Sequence, residues 1–291
     1  MSKYRLYLLL IYLIVVWALS WPVAKIGLEY ISPLWFSALR LIIATACMFI
    51  IVMLLGKLVR PTKQDLPLIL SIGFFQVALF MVCINVGLLY VDAGRSAILV
   101  YTTPLWVVPI SIFFLKEKGT LMKWLGFIFG MVGIAILFNP FEIDWSDRKD
   151  LIGNGVLLLA ALSWAIAMLC ARHMRWTRSP VELIPWQLLM GAIIVTFFAF
   201  LKEPFDHIVW NHKLIAVLLY CSILATAIGY WGMVEVSKEL PPITTSLSLL
   251  LTPVLGLIFS TIMLHEVITT AMIIAMCFTL GGVICVVRDN K

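Results

Sequence analysis

Apolar stretches long enough to cross a lipid bilayer recur ten times in this chain and leave almost no sequence between them. The run from Leu41 to Leu55 holds no charged residue, and a hydrocarbon core about 30 Å thick needs roughly 20 helical residues to span it. The spans fall near 6–24, 33–55, 67–89, 96–115 and 120–139, then near 151–171, 181–201, 213–233, 243–263 and 267–287. Strands of a membrane barrel would alternate apolar and polar residues, whereas these runs are apolar on every side. The expected fold is therefore an all-α integral membrane protein of ten transmembrane helices. With 63% apolar and 12% charged residues, the chain has too little polar surface to coat a water-soluble globule.

Lys3 and Arg5 before the first run resemble the start of a signal peptide. That run is too long, shows no small-residue cleavage site and is followed by nine more, so it is expected to stay. Cys47, Cys83, Cys170, Cys221, Cys277 and Cys285 fall within spans without CxxC spacing, which argues against disulfide or zinc chemistry. The net charge of +6 forms no cluster denser than Lys116, Lys118 and Lys123 or Arg172, Arg175 and Arg178. Both lie between spans, where topology explains them, and no nucleic-acid partner is expected.

Fourteen Lys and Arg residues, from Lys3 to Lys291, fall on one side of the membrane and six on the other, with Arg40 inside a span. By the positive-inside rule both termini are cytoplasmic and the loop with Glu142, Asp144, Asp147 and Asp150 is external.

The halves echo each other. Ser20 matches Ser163 at an offset of 143, Pro33 matches Pro180 at 147, and Pro104, Glu117 and Gly133 match Pro253, Glu266 and Gly282 at 149. Offsets that change only across loops indicate a duplicated unit. An odd number of spans per unit makes the repeat inverted, as in many alternating-access transporters. The expected division is a first repeat over 1–139, an acidic external linker over 140–150 and a second repeat over 151–291.

The chain resembles the ten-helix EamA family of the drug/metabolite transporter superfamily over nearly its full length. The residues that carry this are the Trp17 to Lys25 opening, Pro33 with Ala38-Leu39-Arg40, Pro104 with Glu117 and Gly126, and Pro253 with Leu264-His265-Glu266 and Gly281-Gly282. Ala18 stands where the family usually has Gly, and Gln187 where the first half has Arg40. The resemblance implies a secondary transporter of a small metabolite, an amino acid or related compound, by export or exchange through a multi-pass protein of the bacterial inner membrane. H+ is the candidate coupling ion, lipid the other partner, and no cofactor is implied.

Pro104 and Pro253 each remove a backbone donor in mid-span and free a carbonyl one turn earlier. Matched interruptions point to a central site, and packing kinks are the other reading. Arg40 is positioned to hold a substrate carboxylate, or else to snorkel or pack between helices. Ser20, Gln76, Asn85, Tyr101, Ser163, Gln187, Thr226, Tyr230, Ser246 and Ser248 are polar groups in apolar helices. All but Gln187 line the pathway if the family architecture holds, or bond between helices. Trp21, Trp164 and Trp231 are placed by the same resemblance around the cavity, against the alternative of marking the interface.

Gly126, Gly130 and Gly133, and a smaller pair Gly281 and Gly282, read as close-packing faces. Glu117 and Glu266 are expected to cap or pair at the interfaces, with proton coupling as the alternative.

Enzymes fit poorly. There is no GxSxG, His265-Glu266 is not followed by the second His of HExxH, and no Walker A sequence occurs. A channel would need a filter or a line of acidic residues, and a receptor a soluble sensing segment, neither of which is written here.

Overall fold

The computed structural model describes residues 3–116, 119–138, 148–240 and 242–289. Among them every regular element is a helix. In chain order these are α1 (Tyr4–Gly27), α2 (Pro33–Leu54), α3 (Leu66–Gly87), α4 (Ala93–Phe113), the shorter α5 (Leu121–Leu137), α6 (Lys149–His173), α7 (Pro180–Lys202), α8 (His212–Glu239), α9 (Thr244–Leu264) and α10 (Thr270–Arg288). All but α5 are long and apolar enough to cross a membrane, which makes the chain a multi-pass membrane protein. Glu117 and most of the acidic linker, with Glu142, Asp144 and Asp147, lie outside the described residues.

Short connections make successive helices run antiparallel. α1 therefore begins, and α10 finishes, at the same end of the bundle, the terminal end; the other is the distal end. At the distal end the first turn of α2 leaves backbone donors without helical partners. Glu203, just beyond α7, meets two of them: its Oε2 accepts from the N–H of Leu34 at 3.0 Å and of Trp35 at 3.2 Å. Trp35 returns the tie by donating its indole N–H to the Glu203 carbonyl at 2.9 Å.

Among the ends that depart from those hydropathy predicts, two have a visible cause. α8 continues to Glu239 rather than stopping near 233, because its last turns become amphipathic. Val236 packs into a cluster with Leu6 and Leu10 of α1, while Lys238 and Glu235 pair on the outside at 2.7 Å. α10 begins at Thr270 rather than near 267, since α9 closes at His265 in the left-handed region (φ 57°) and a stretch without regular structure follows.

α4 and α9 are each interrupted. The helical turns of α4 stop at Val100 and resume at Thr103, and those of α9 stop at Leu249 and resume at Leu251. In both, the last residue before the break lies four positions ahead of a proline, Pro104 or Pro253. There the ring crowds the preceding turn and no N–H is available to bond the carbonyl. The Thr103 hydroxyl supplies the missing donor, reaching the Val100 carbonyl at 2.8 Å.

α3 and α8 carry a second kind of irregularity, wide π turns over Gly73–Leu79 and Tyr220–Ile228. Carbonyls loosened by such turns need partners within the protein, since lipid offers none. α6 meets the first, with Ser163 Oγ donating to the Phe75 carbonyl at 2.6 Å. α1 meets the second, with the Trp17 indole reaching the Ala225 carbonyl at 2.9 Å and the Tyr12 hydroxyl the Leu224 carbonyl at 3.1 Å.

Helices α5 and α10 touch backbone to backbone. A Cβ built on Gly282 would stand 2.4 Å from the Gly126 carbonyl oxygen, and one on Gly133 would stand 2.8 Å from that of Ala275. Gly281 departs from the expected face, for a Cβ there meets nothing within 4 Å. Consecutive helical residues point about 100° apart, so only one of the pair can face α5.

Candidate functional site

The interruptions of α4 and α9 and the π turns of α3 and α8 all border one space. It is a cavity of about 550 Å³, walled by α1, α3, α4, α6, α8, α9 and α10 with one side chain, Arg40, from α2. Its wall runs to Ala171, Met233 and Val287 near the terminal end, where Met168 is exposed. Towards the distal end it stops at Ala24 and Leu88, both buried.

Beyond that floor a polar cluster ties three helices together. Lys25 of α1 donates to Asp92 Oδ1 at 3.2 Å and Glu266 Oε1 at 3.1 Å. The Glu266 carboxylate also takes the N–H groups of Ala93 at 2.7 Å and Gly94 at 3.0 Å, which are first-turn donors of α4. The end of α9 thus caps the start of α4. The left-handed turn at His265 sends the chain back so that Glu266 can reach.

Of the residues singled out in the sequence, Ser20, Trp21, Arg40 and Gln76 lie on the cavity wall, as do Tyr101, Pro104, Trp164, Tyr230 and Ser246. The others do not. Asn85 is buried and donates to Ser37 Oγ at 2.7 Å, and Ser163 is held by the Phe75 carbonyl. Thr226 is buried behind Arg40, accepting from its Nε at 3.0 Å and donating to the Cys221 carbonyl at 2.8 Å. Gln187, half of the pair formed with Arg40 across the halves, is buried away from the cavity. Trp231 packs against the core, and Ser248 and Pro253 lie off the wall.

The sequence does not mark Trp17, Phe80, Met81, Met168 and Met233 as wall residues, although Trp17 opens the family motif. A Phe or Met in an all-apolar helix carries no mark of the face it occupies. Pairing across the repeat could have found Trp17 only through its neighbour Ser20.

Aromatic rings give the wall its character. Phe80 and Trp164 meet edge to face with centroids 4.4 Å apart, and Trp164 meets Tyr230 the same way at 6.4 Å. The site is thus an apolar, aromatic chamber with a few hydroxyls and one guanidinium, suited to holding a small organic molecule. Among the described residues no group of three His, Cys, Asp or Glu is placed to hold a metal.

Comparison with known proteins agrees over the whole chain. The model of the EamA-like transporter family matches residues 5–139 and again residues 151–288. An uncharacterized transporter of Bacillus subtilis (strain 168), YoaV, is 30% identical over 268 residues, covering 92% of this chain and 91% of its own length. A probable amino-acid metabolite efflux pump of Salmonella typhimurium (strain LT2) is 27% identical over 277 residues, covering 88% of this chain and 86% of the pump. A solved crystal structure superposes with a TM-score of 0.66 over 100% of both chains at 20% identity, a likeness of fold alone. With a family match across both halves and a full-length relative at this identity, the chain belongs to the EamA-like transporter family.

Proposed function

We propose that this protein is a secondary active transporter. It moves a small metabolite, an amino acid or related compound, across the cytoplasmic membrane by alternating access, in export or exchange. The observation that carries the reading is the asymmetry of the cavity, which reaches the terminal end but is floored and tied shut at the distal end. On the positive-inside rule the terminal end is cytoplasmic, so this is an inward-facing state of two inverted five-helix units. In the outward-facing state the Lys25, Asp92 and Glu266 cluster opens and the terminal ends of α4, α6, α8 and α9 close. The breaks before Pro104 and Pro253 provide hinges for that exchange.

Uptake of labelled metabolites into proteoliposomes, with and without a pH gradient, tests this directly. Saturable uptake that is lost in Arg40→Ala and Trp164→Ala is expected, and a response to the gradient identifies H+ as the coupling ion. Folded protein that moves none of a broad panel, and whose cavity is never reached from the distal side by cysteine reagents, refutes the proposal.

A further inference from the structure

Among the described residues the cavity wall carries one cation and no anion. Among the described residues on its wall only Arg40 is charged, and Arg40 is only 8% exposed. It sits on the eighth residue of α2, about 10 Å in from the distal end at the α-helical rise. Its Nε is held by Thr226, 3.0 Å away, on the π turn of α8. Among the described residues no hydrogen bond reaches the terminal nitrogens of the guanidinium, and no carboxylate forms an ion pair with it. The carboxylates of α7, α8 and the distal cluster, such as Glu182, Glu235 and Glu266, all stand at helix ends.

A guanidinium buried at membrane depth without a counter-charge is costly, and its planar fork of donors matches a carboxylate with two bonds. With Nε anchored, the free edge of the fork is presented to the chamber. What the wall lacks is equally informative. An α-ammonium placed beside that carboxylate would lie within a few ångströms of the guanidinium, with no acidic side chain to take it. The edge-to-face rings of Phe80, Trp164 and Tyr230 offer an apolar berth and only the weaker attraction of their π faces.

We propose that the site selects a net monoanion: a small carboxylate with an aromatic-sized apolar body and no free amine. This rests on the transporter reading above and narrows it, within compounds related to amino acids, to deaminated or N-blocked ones.

A charge series on one skeleton tests the idea: 3-phenylpropionate, phenylalanine, phenethylamine and the neutral 3-phenylpropanamide. Binding to purified protein is followed by fluorescence of the cavity tryptophans and by thermal shift, and transport by uptake into proteoliposomes. 3-Phenylpropionate should bind at least about tenfold more tightly than phenylalanine, as expected for a charge-assisted bidentate pair, and phenethylamine most weakly. Arg40→Gln should reduce its affinity to that of the amide while leaving the amide nearly unchanged. Arg40→Lys, which keeps the charge if Arg40→Gln fails to fold, should retain part of the preference.

Phenylalanine binding as tightly as 3-phenylpropionate overturns the proposal, as does an anion preference that survives in Arg40→Gln, or no binding of any of the four. Anion-selective binding without uptake upholds the site and refutes transport; uptake without charge preference does the reverse.

Discussion

Lys25 on α1 and Glu266 beyond α9 lie 3.1 Å apart across the closed end of the cavity, although 241 positions separate them in the chain. Glu266 is the more deeply placed, with a side chain 8% exposed against 28% for Lys25. It serves two roles, as counter-ion to Lys25 and as cap for the first turn of α4. Lys25→Ala removes only a partly solvated pair, worth about 0–1 kcal/mol. Glu266→Ala also strips the cap from Ala93 and Gly94, a further loss of about 1 kcal/mol. Both variants should raise labelling of a cysteine placed at Ala24 by a reagent added from the distal side, Glu266→Ala more so. The exchange Lys25→Glu with Glu266→Lys should not restore closure, because a lysine cannot accept from backbone N–H groups. Full restoration would reduce the cluster to a simple ion pair.

The α5–α10 contact predicts opposite outcomes for adjacent glycines. Gly282→Ala forces a Cβ against the Gly126 backbone, where no side chain can move aside, and should cost about 1–3 kcal/mol, as overpacking does. Gly281→Ala meets open space and should leave the melting temperature in detergent unchanged or slightly raised. Equal melting of the two variants would mean that the helices separate easily.

Asp65 precedes α3 at the terminal end and is 1% exposed. Burial pushes its carboxyl up, but hydrogen bonds from the Thr177 and Thr62 hydroxyls and the Thr62 N–H, with the charge of Arg178, outweigh that and hold it below the usual value. A depressed folded value means stability present above the unfolded pKa of about 3.9 and lost as pH falls through the folded one. Asp65→Asn should therefore melt lower than wild type near neutrality. The gap should close progressively below about pH 4, where the unfolded carboxyl protonates; a pH-independent gap would mean that the carboxylate charge is not what joins Thr62 to Thr177.

Ser20 and Ser163 occupy matching places in the two halves yet have different partners. Ser20 donates to the Trp17 carbonyl of its own helix at 2.7 Å, while Ser163 crosses to the π turn of α3. Ser163→Ala should cost about 0.6 kcal/mol and at most about 1.7 kcal/mol, the average and the maximum for hydrogen bonds between membrane helices. Ser20→Ala should cost less in thermal stability and show its effect in ligand affinity instead. Reversed rankings would contradict the assignment of Ser20 to the wall and Ser163 to the scaffold.

Much of the architecture is legible in the sequence because lipid imposes a length on every span and leaves charge to the ends. Pro104 and Pro253 mark their breaks for an equally local reason, the missing N–H. The cavity is less legible. Polarity in an apolar helix signals a demand for hydrogen bonds without naming the partner: for Ser20 and Gln76 the place is the wall, whereas for Asn85 it is Ser37, 48 positions away. Phe80 and Met233 face the cavity with side chains indistinguishable from those facing lipid. The closure at Lys25 and Glu266 depends on a juxtaposition that neither local pattern contains, though the matched offset had singled out Glu266.

The π turn over Tyr220–Ile228 also sets the rotational phase of everything after it. Each residue of an α-helix advances about 100° around the axis, so a locally widened turn rotates the following segment relative to the one before. Tyr220 can then reach back to the Val16 carbonyl at 2.9 Å while Tyr230 and Met233 face the chamber. Deleting one residue from 220–228 would leave composition and hydropathy almost untouched, yet swing Tyr230 out of the wall. In this helix the chamber's chemistry is governed by counting, one residue at a time, as much as by which residues are present.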